Sequence, residues 1–329
     1  MRPYDSARRL PLIVEPSADG VDLPQWAANN RESLDRLLTE HGGILLRNFR
    51  VDTAEKFEAF VEATSGEPLH YNERSSPRHV VSGRIYTSTD HPKHLDIFLH
   101  NEQSYNLRFP TRIFFCCTKP APVGGATPIA DARNVFTRLS PSIRAKFMEK
   151  KYMYARNFGQ GPGLGWEEAF QTRDKSAVED YCRRNQIEFE WRSGNRLRTR
   201  QVREPVAAHP VSGELTWFNH ATFFHITTLP KAATESLLSE LGEDNLPNNT
   251  YYGDGTPIEP EVMNELQQSY LAEKLSFPWA AGDVLMLDNM LSSHGRDPFD
   301  GPREVLVAMA GLRDWQSVLP AGPAAAHAG

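Results

Sequence analysis

Residues 282–290, GDVLMLDNM, and residues 303–311, REVLVAMAG, are two strand-like runs close to the end of the chain, and their place in the order of elements decides the fold class. Strand-like stretches also stand early: GILLRNF at 43–49, IFLHNEQSY at 97–105, RIFFCCTKP at 112–120 and PVGGATPIAD at 122–131, the last a turn leading into a strand. Between and before them lie helical patterns. RESLDRLLTE (31–40) places Leu34, Leu37 and Leu38 at i, i+3, i+4, with Asn30 as the cap and Gly42-Gly43 as the stop. DTAEKFEAFVEAT opens on Asp52 with Glu55 three residues on, a capping-box pattern, and carries Phe57, Phe60 and Val61 as its apolar stripe. SPSIRAKFMEK (140–150), SAVEDYCRRN (176–185) and EPEVMNELQQSYLAEKL (259–275) read as further helices, and IEFEW (187–191) as a half-buried strand. Strands at both ends, with helices inserted between and around them, are not a βαβ alternation, which argues against a parallel doubly wound sheet. The expectation is a mainly β protein with surrounding helices, built on a sandwich or jelly roll.

The bulk numbers narrow the function classes. A chain of 329 residues with 40% hydrophobic content can bury a sizeable core. A net charge of -6 disfavours a nucleic-acid binder. Cys116, Cys117 and Cys182 are an odd number with one adjacent pair, a poor disulfide framework that suits a reducing compartment. The start, MRPYDSARRLPLIVEPSADG, has no apolar stretch of signal-peptide length, and no run of about 18 apolar residues suggests a membrane span. A soluble, cytoplasmic protein is expected.

Chemistry enters at LHNEQSY (99–105). On a strand spanning 97–105, His100 and Glu102 would share one face and Asn101 would point away. His294, in a loop rich in Ser and Gly just after a strand, is the candidate third ligand. Two imidazoles and one carboxylate leave open positions on an octahedral ion, the non-haem Fe(II) oxygenase arrangement, although zinc accepts the same groups. A His-X-Glu triplet also arises by chance in a chain with 11 histidines. Arg303, nine residues beyond His294 at the mouth of VLVAMAG, presents a planar fork suited to a carboxylate; its ordinary alternative is a surface arginine. Thr127 follows a Gly-Gly turn, where a threonine usually just begins a strand.

Taken in order, HNE, GGATPIAD, WFN and GDVLMLDNMLSSHGRDPFDGPR resemble the taurine dioxygenase-like (TauD/TfdA) family of Fe(II)/2-oxoglutarate-dependent oxygenases. The nearest branch is that of peptide natural-product pathways, with amino-acid hydroxylases of the syringomycin type. The resemblance runs from about residue 70 to 312. It implies a double-stranded β-helix (jelly roll) core in one catalytic domain, residues 1–329, with a helical insertion at about 140–275; the small, proline-bearing composition of 320–329 suggests a frayed tail. The resemblance implies His100, Glu102 and His294 as the metal ligands, and Thr127 with Arg303 as the pair that holds the distal carboxylate of 2-oxoglutarate. Fe(II), 2-oxoglutarate and O2 would then hydroxylate an unactivated C–H of an amino acid or amino-acid-derived substrate, with succinate and CO2 as coproducts. The same cycle can end in desaturation or cyclisation.

A carboxylate at position 102 argues against halogenation, since related halogenases have a small residue there. Val307 stands where sulfonate-using relatives carry a second arginine, so taurine is not expected as substrate. His220 stands where the nearest branch suggests glutamine, and Ala280 at an often polar position. Arg74, Tyr105, Phe218 and Asn219 are the candidate substrate-binding residues. Arg192, Arg196, Arg198, Arg200 and Arg203 form either a solvated hairpin face or a docking face for an anion, such as a substrate carboxylate or an acidic carrier protein. Two other classes stay open on the residues alone. One is a zinc hydrolase, for which no HExxH-type helix supplies a base; the other is a jelly-roll binding protein without catalysis.

Overall fold

The computed structural model describes residues 1–70, 80–88, 91–159 and 163–320. Among the described residues nine strands precede residue 140: β1 (Arg2–Pro3), β2 (Leu12–Val14), β3 (Gly43–Leu46), β4 (Val80–Ser82), β5 (Ile85–Thr87), β6 (Ile97–His100), β7 (Arg108–Lys119), β8 (Val123–Gly124) and β9 (Ile129–Asp131). Six lie within the insertion: β10 (Tyr152–Phe158), β11 (Glu188–Arg192), β12 (Arg196–Arg203), β13 (Val206–Ala208), β14 (Leu215–Trp217) and β15 (Asn248–Tyr252). Four close the chain: β16 (Asp283–Asp288), β17 (Ser292–Arg296), β18 (Phe299–Asp300) and β19 (Glu304–Asp314). The large sheet runs β1-β2-β3-β16-β7-β19-β5-β4, and the small one β6-β17-β9. The early and late strands therefore interleave, as a jelly roll requires, and β2–β3 is the parallel pair among antiparallel neighbours.

Alternation along the central strands explains the layers. In β7, β16 and β19 one set of residues, Phe114, Cys116, Val284, Met286, Leu306, Ala308 and Ala310, packs beneath helices Leu23–Asn29, Arg31–His41 and Ala54–Ser65. The alternate set, Ile113, Phe115, Leu285, Leu287, Val305, Val307 and Met309, faces the interior, where Ile129 of the small sheet, Phe277 and Trp279 meet it. A period of two with both faces apolar is what a sheet covered on both sides needs. Each fully buried Phe or Leu in these layers contributes roughly 1.5–3 kcal/mol by transfer from water. The double-stranded β-helix core is as expected.

Local details differ from the sequence reading in four places. Helix Ala54–Ser65 is capped by Thr53, whose hydroxyl accepts from Lys56 N–H at 3.3 Å, while Asp52 sits one residue outside and pairs with the Lys56 ammonium at 2.7 Å. Asn30 does not cap helix Arg31–His41 through its side chain; its amide donates to Trp26 O and finishes the preceding helix. Segment 140–275 carries helices but also the antiparallel sheet β11-β12-β10-β15 and the hairpin β13-β14. Strand β10 forms because Tyr152 and Tyr154 alternate inward onto the core of Phe147, Trp217 and Tyr252. The fourth difference concerns the metal-site strands and is taken up below. Helix Arg31–His41 does end at Gly42, in the left-handed region at φ 78°. The three cysteines are buried and form no disulfide, and among the described residues no helix is long and apolar enough to cross a membrane. Residues 321–329, most of the expected frayed tail, lie outside the described residues.

At Gly295 strand β17 passes tightly against the backbone of β6. A Cβ there would sit 2.4 Å from Ile97 O, a backbone atom that cannot step aside. The register shifts between His294 and Arg296 at the same place. Gly295→Ala is expected to destabilise the fold by about 1–3 kcal/mol through overpacking, measured as a lower midpoint in urea unfolding.

Candidate metal centre

His100 is the last residue of β6 and His294 the third of β17, and the two are direct partners across that antiparallel pair. Their rings stand 4.5 Å apart between centroids. His294 is thus held within a strand rather than in the loop expected from the sequence. The turn 289–291 reverses the chain early enough for Ser292 to pair with Asp131. The strand expected over 97–105 ends at His100. Residues 101–106 form a turn, with Gln103 at φ 54° and Ser104 N–H donating to Asn101 O. Glu102 therefore reaches the histidines from a turn, not by sharing a pleat with His100.

The three side chains converge nonetheless. One ligand atom from each of His100, Glu102 and His294 lies within 4.8 Å of the others, and all three residues are buried. Glu102 Oε2 is 3.7 Å from His294 Nε2. The His100 Nδ1–H donates to Phe98 O at 2.9 Å, a carbonyl that can only accept, which leaves Nε2 with its lone pair. His294 Nδ1 is buried and has no hydrogen-bond partner among the described residues. Two imidazoles and a carboxylate, buried and aimed at one point, fit a divalent first-row ion with open positions.

The same cavity extends to the second expected pair. His100, His294, Phe115, Thr127, Arg303, Ser88, Arg296 and Val307 line one space. Arg303 donates from Nε to Gly125 O at 2.8 Å and from Nη1 to Ser88 Oγ at 3.1 Å, and Nη2 lies 3.5 Å from Thr127 Oγ1. Among the described residues no carboxylate pairs with it. Burial, reinforced by the nearby Arg296 charge, pulls its pKa down to about 10, so the guanidinium stays charged at neutral pH. A half-buried cation without a counter-ion invites an anionic ligand. Gly125, at φ 72°, is required here: a Cβ would press on Arg303 Cδ at 3.0 Å. Trp279 Nε1–H donates to Thr127 Oγ1 at 3.1 Å, so the hydroxyl's own proton is free to point elsewhere.

The remaining candidates fall in different places. Tyr105 is buried edge-on against His220, whose ring stands 5.6 Å from that of His100. Burial and the neighbouring His100 hold His220 well below the ordinary histidine pKa, and Ser104 Oγ is hydrogen-bonded to its Nδ1 at 2.7 Å. Phe218 is not brought to the cavity; it packs with Phe109 and Trp315 in a separate cluster. Asn219 spends its amide on Pro205 O and Ala221 N–H. Arg74 lies outside the described residues.

Two of the five arginines of the run, Arg198 and Arg203, are buried, while Arg192, Arg196 and Arg200 stay partly exposed. Arg203 is buried and donates to the carbonyls of Tyr105, Gln186, Val202 and Asn185, and Arg198 pairs with Asp244. Residues that the sequence did not single out also belong to the site. Ser88 and Trp279 support Arg303 and Thr127, and the half-buried Phe223 lies over the His100 ring at 4.4 Å. None has a local pattern that would mark it; only the assembled fold brings them here.

Residues 6–309 match the family described as "Taurine catabolism dioxygenase TauD, TfdA family". The chain is 38% identical over 309 residues to the dapdiamide synthesis protein DdaC of Enterobacter agglomerans, covering 94% of this chain and 93% of that one. It is 28% identical over 325 residues to a clavaminate synthase-like protein of Arabidopsis thaliana, covering 93% and 94%. Its fold is similar to that of the PvcB protein from Pseudomonas aeruginosa, with a TM-score of 0.54 at 15% identity over 97% of this chain and 92% of the other. With matching donor groups buried in a jelly-roll core, the chain belongs to the TauD/TfdA family and is an Fe(II)- and 2-oxoglutarate-dependent dioxygenase that consumes O2.

Proposed function

We propose that this enzyme hydroxylates an unactivated C–H of an amino acid or amino-acid-derived substrate in a natural-product pathway. The observation that carries the reading is the buried cluster of two imidazoles and a carboxylate, whose two histidines line one cavity with Arg303, a cation that no carboxylate among the described residues pairs with. The 38% identity to a protein of dapdiamide synthesis supports the pathway class. In this reading residues 1–329 act as one catalytic unit.

His100, Glu102 and His294 hold the iron, whose chemistry with 2-oxoglutarate and O2 is the oxidation of an unactivated C–H with succinate and CO2 as coproducts. Arg303 and Thr127 bind the distal carboxylate of 2-oxoglutarate, Arg303 by charge and fork, Thr127 by the hydroxyl proton that Trp279 leaves free. Phe115 and Val307 supply apolar walls that keep water from the site. Tyr105 buttresses His220 behind the metal end, and Phe223 is the aromatic surface next to His100 on which a substrate rests. Arg74, Phe218 and Asn219 complete the candidate set, the last two acting through the packing of the 218–224 segment that carries His220 and Phe223. The substrate arrives free or on an acidic carrier protein.

The test is a screen of free and carrier-bound amino acids with Fe(II), 2-oxoglutarate and O2. The expected result is succinate formed only when all three are present, together with a product heavier by one oxygen atom. A product lighter by two hydrogens would reassign the outcome to desaturation. Absence of any Fe(II)-dependent succinate would remove the reading. Trp279→Phe, which deletes one hydrogen bond to Thr127 worth about 0.5–1.5 kcal/mol, is expected to raise the KM for 2-oxoglutarate about 2–10-fold with kcat little changed, read in the same succinate assay.

A further inference from the structure

We propose that Asn289 is the positioning residue that holds Glu102 in place and thereby sets how tightly this protein binds its metal ion, an inference that rests on His100, Glu102 and His294 being the ligands. The two histidines need no such help, because they face each other across paired strands. Glu102 lies beyond the end of β6, in a turn, and among the described residues no strand pairs with it.

The carboxamide of Asn289 does what a strand neighbour would. Its Oδ1 accepts the Glu102 N–H at 2.7 Å, and its Nδ2 donates to Glu102 O at 2.8 Å. The same Nδ2 donates to Pro110 O at 2.8 Å, on the strand the turn leads into. One side chain thus engages both peptide groups of Glu102 and ties the turn to β7. The link is answered from the other side: Asn101 Nδ2 donates to Asn289 O at 2.7 Å and to Ser292 O at 3.2 Å. Ser292 opens β17, the strand that carries His294. Asn289 N–H in turn donates to Thr111 O at 2.9 Å. Asn101 and Asn289 are fully buried, so water cannot replace these bonds.

The chemistry demands an amide at 289. Only a carboxamide presents an acceptor and a donor side by side; aspartate would set a second acceptor against the carbonyls of Glu102 and Pro110, and alanine offers neither group. Without the clamp the Glu102 peptide groups must find partners by rotating the turn, and the carboxylate leaves its position opposite the histidines.

The test measures anaerobic binding of Fe(II), and of Co(II) as an optical probe, to the full chain and its variants. Asn289→Ala and Asn289→Asp are expected to bind either ion about 10–100-fold more weakly, as is typical when a ligand loses its support, with a Co(II) absorption spectrum altered in shape. Asn157→Ala is the control. It removes an amide that likewise donates to two carbonyls, Asp244 O at 3.1 Å and Leu246 O at 2.7 Å, but outside the metal cavity. It is expected to lower the melting temperature and leave Co(II) affinity and spectrum as in the parent. Asn101→Ala, which loses the answering bonds, should weaken binding in the same direction and serves if the Asn289 variants do not fold. Folded Asn289 or Asn101 variants that bind Co(II) like the parent, or no worse than Asn157→Ala, overturn the inference while leaving the ligand assignment standing. A parent protein that binds neither ion overturns the ligand assignment itself, and the inference with it.

Discussion

Replacing Glu102 by alanine is expected to abolish hydroxylation and to weaken Fe(II) binding by more than about 100-fold, beyond the 10–100-fold range seen when only a supporting residue is lost. Glu102 is the carboxylate of the cluster, 3% exposed and 3.7 Å from His294 Nε2. Imidazoles bind a divalent ion without contributing negative charge, so removing the carboxylate deletes the anionic part of the donor set together with one of its three anchors. The backbone of the turn, clamped by Asn289, is untouched by the change, so the variant is expected to fold and to separate ligation from stability. Fe(II) titration under anaerobic conditions and succinate release in air give the two readings. Glu102→Asp keeps the charge but withdraws it by one methylene, and should fall between parent and alanine variant. Full turnover by Glu102→Ala would contradict the ligand assignment.

The second large effect is expected at Arg303. Truncating one partner of a buried, hydrogen-bonded charge pair costs about 2–5 kcal/mol, so Arg303→Ala should raise the KM for 2-oxoglutarate at least about 30-fold. The stability of the ligand-free protein should change far less. The variant loses the bonds to Gly125 O and Ser88 Oγ but also sheds a cation whose burial costs free energy, as its lowered pKa records. A KM for 2-oxoglutarate equal to that of the parent would place the cosubstrate carboxylate elsewhere. Arg303→Lys keeps a charge but loses the planar fork, and should recover only part of the loss.

Features that rest on local chemistry are legible in the sequence, and those that rest on distant contacts are not. RIFFCCTKP, GDVLMLDNM and REVLVAMAG were readable as strands because β periodicity and apolar runs are local properties. Helix Arg31–His41 was readable for the same reason, through its leucine stripe and glycine stop. The cap of the next helix is ambiguous by one residue in the sequence, since Asp52 and Thr53 both suit the position and only the geometry selects Thr53. The arginine run looked like a solvated or docking face; Arg203 is instead a buried donor to four carbonyls, because the sheet of the insertion folds its strand inward. Asn289 carried no visible signal, although it stands within a quoted strand-like run, because its importance lies in bonds to residues far away in the chain.

The sequence by itself determined the main strands at both ends of the chain, the class of fold, the family, and the chemical types of the groups able to hold a metal and a dicarboxylate, since these depend on residue identity and on short-range periodicity. The tertiary structure alone decided that His100 and His294 meet as cross-strand partners, that Glu102 joins them from a turn rather than a pleat, and that Arg303 opens onto the cavity lined by both histidines with no carboxylate of the described residues beside it. The reason is physical: local preferences follow from neighbouring residues, whereas the convergence of distant groups depends on how strands pair and which buried amides tie the segments together.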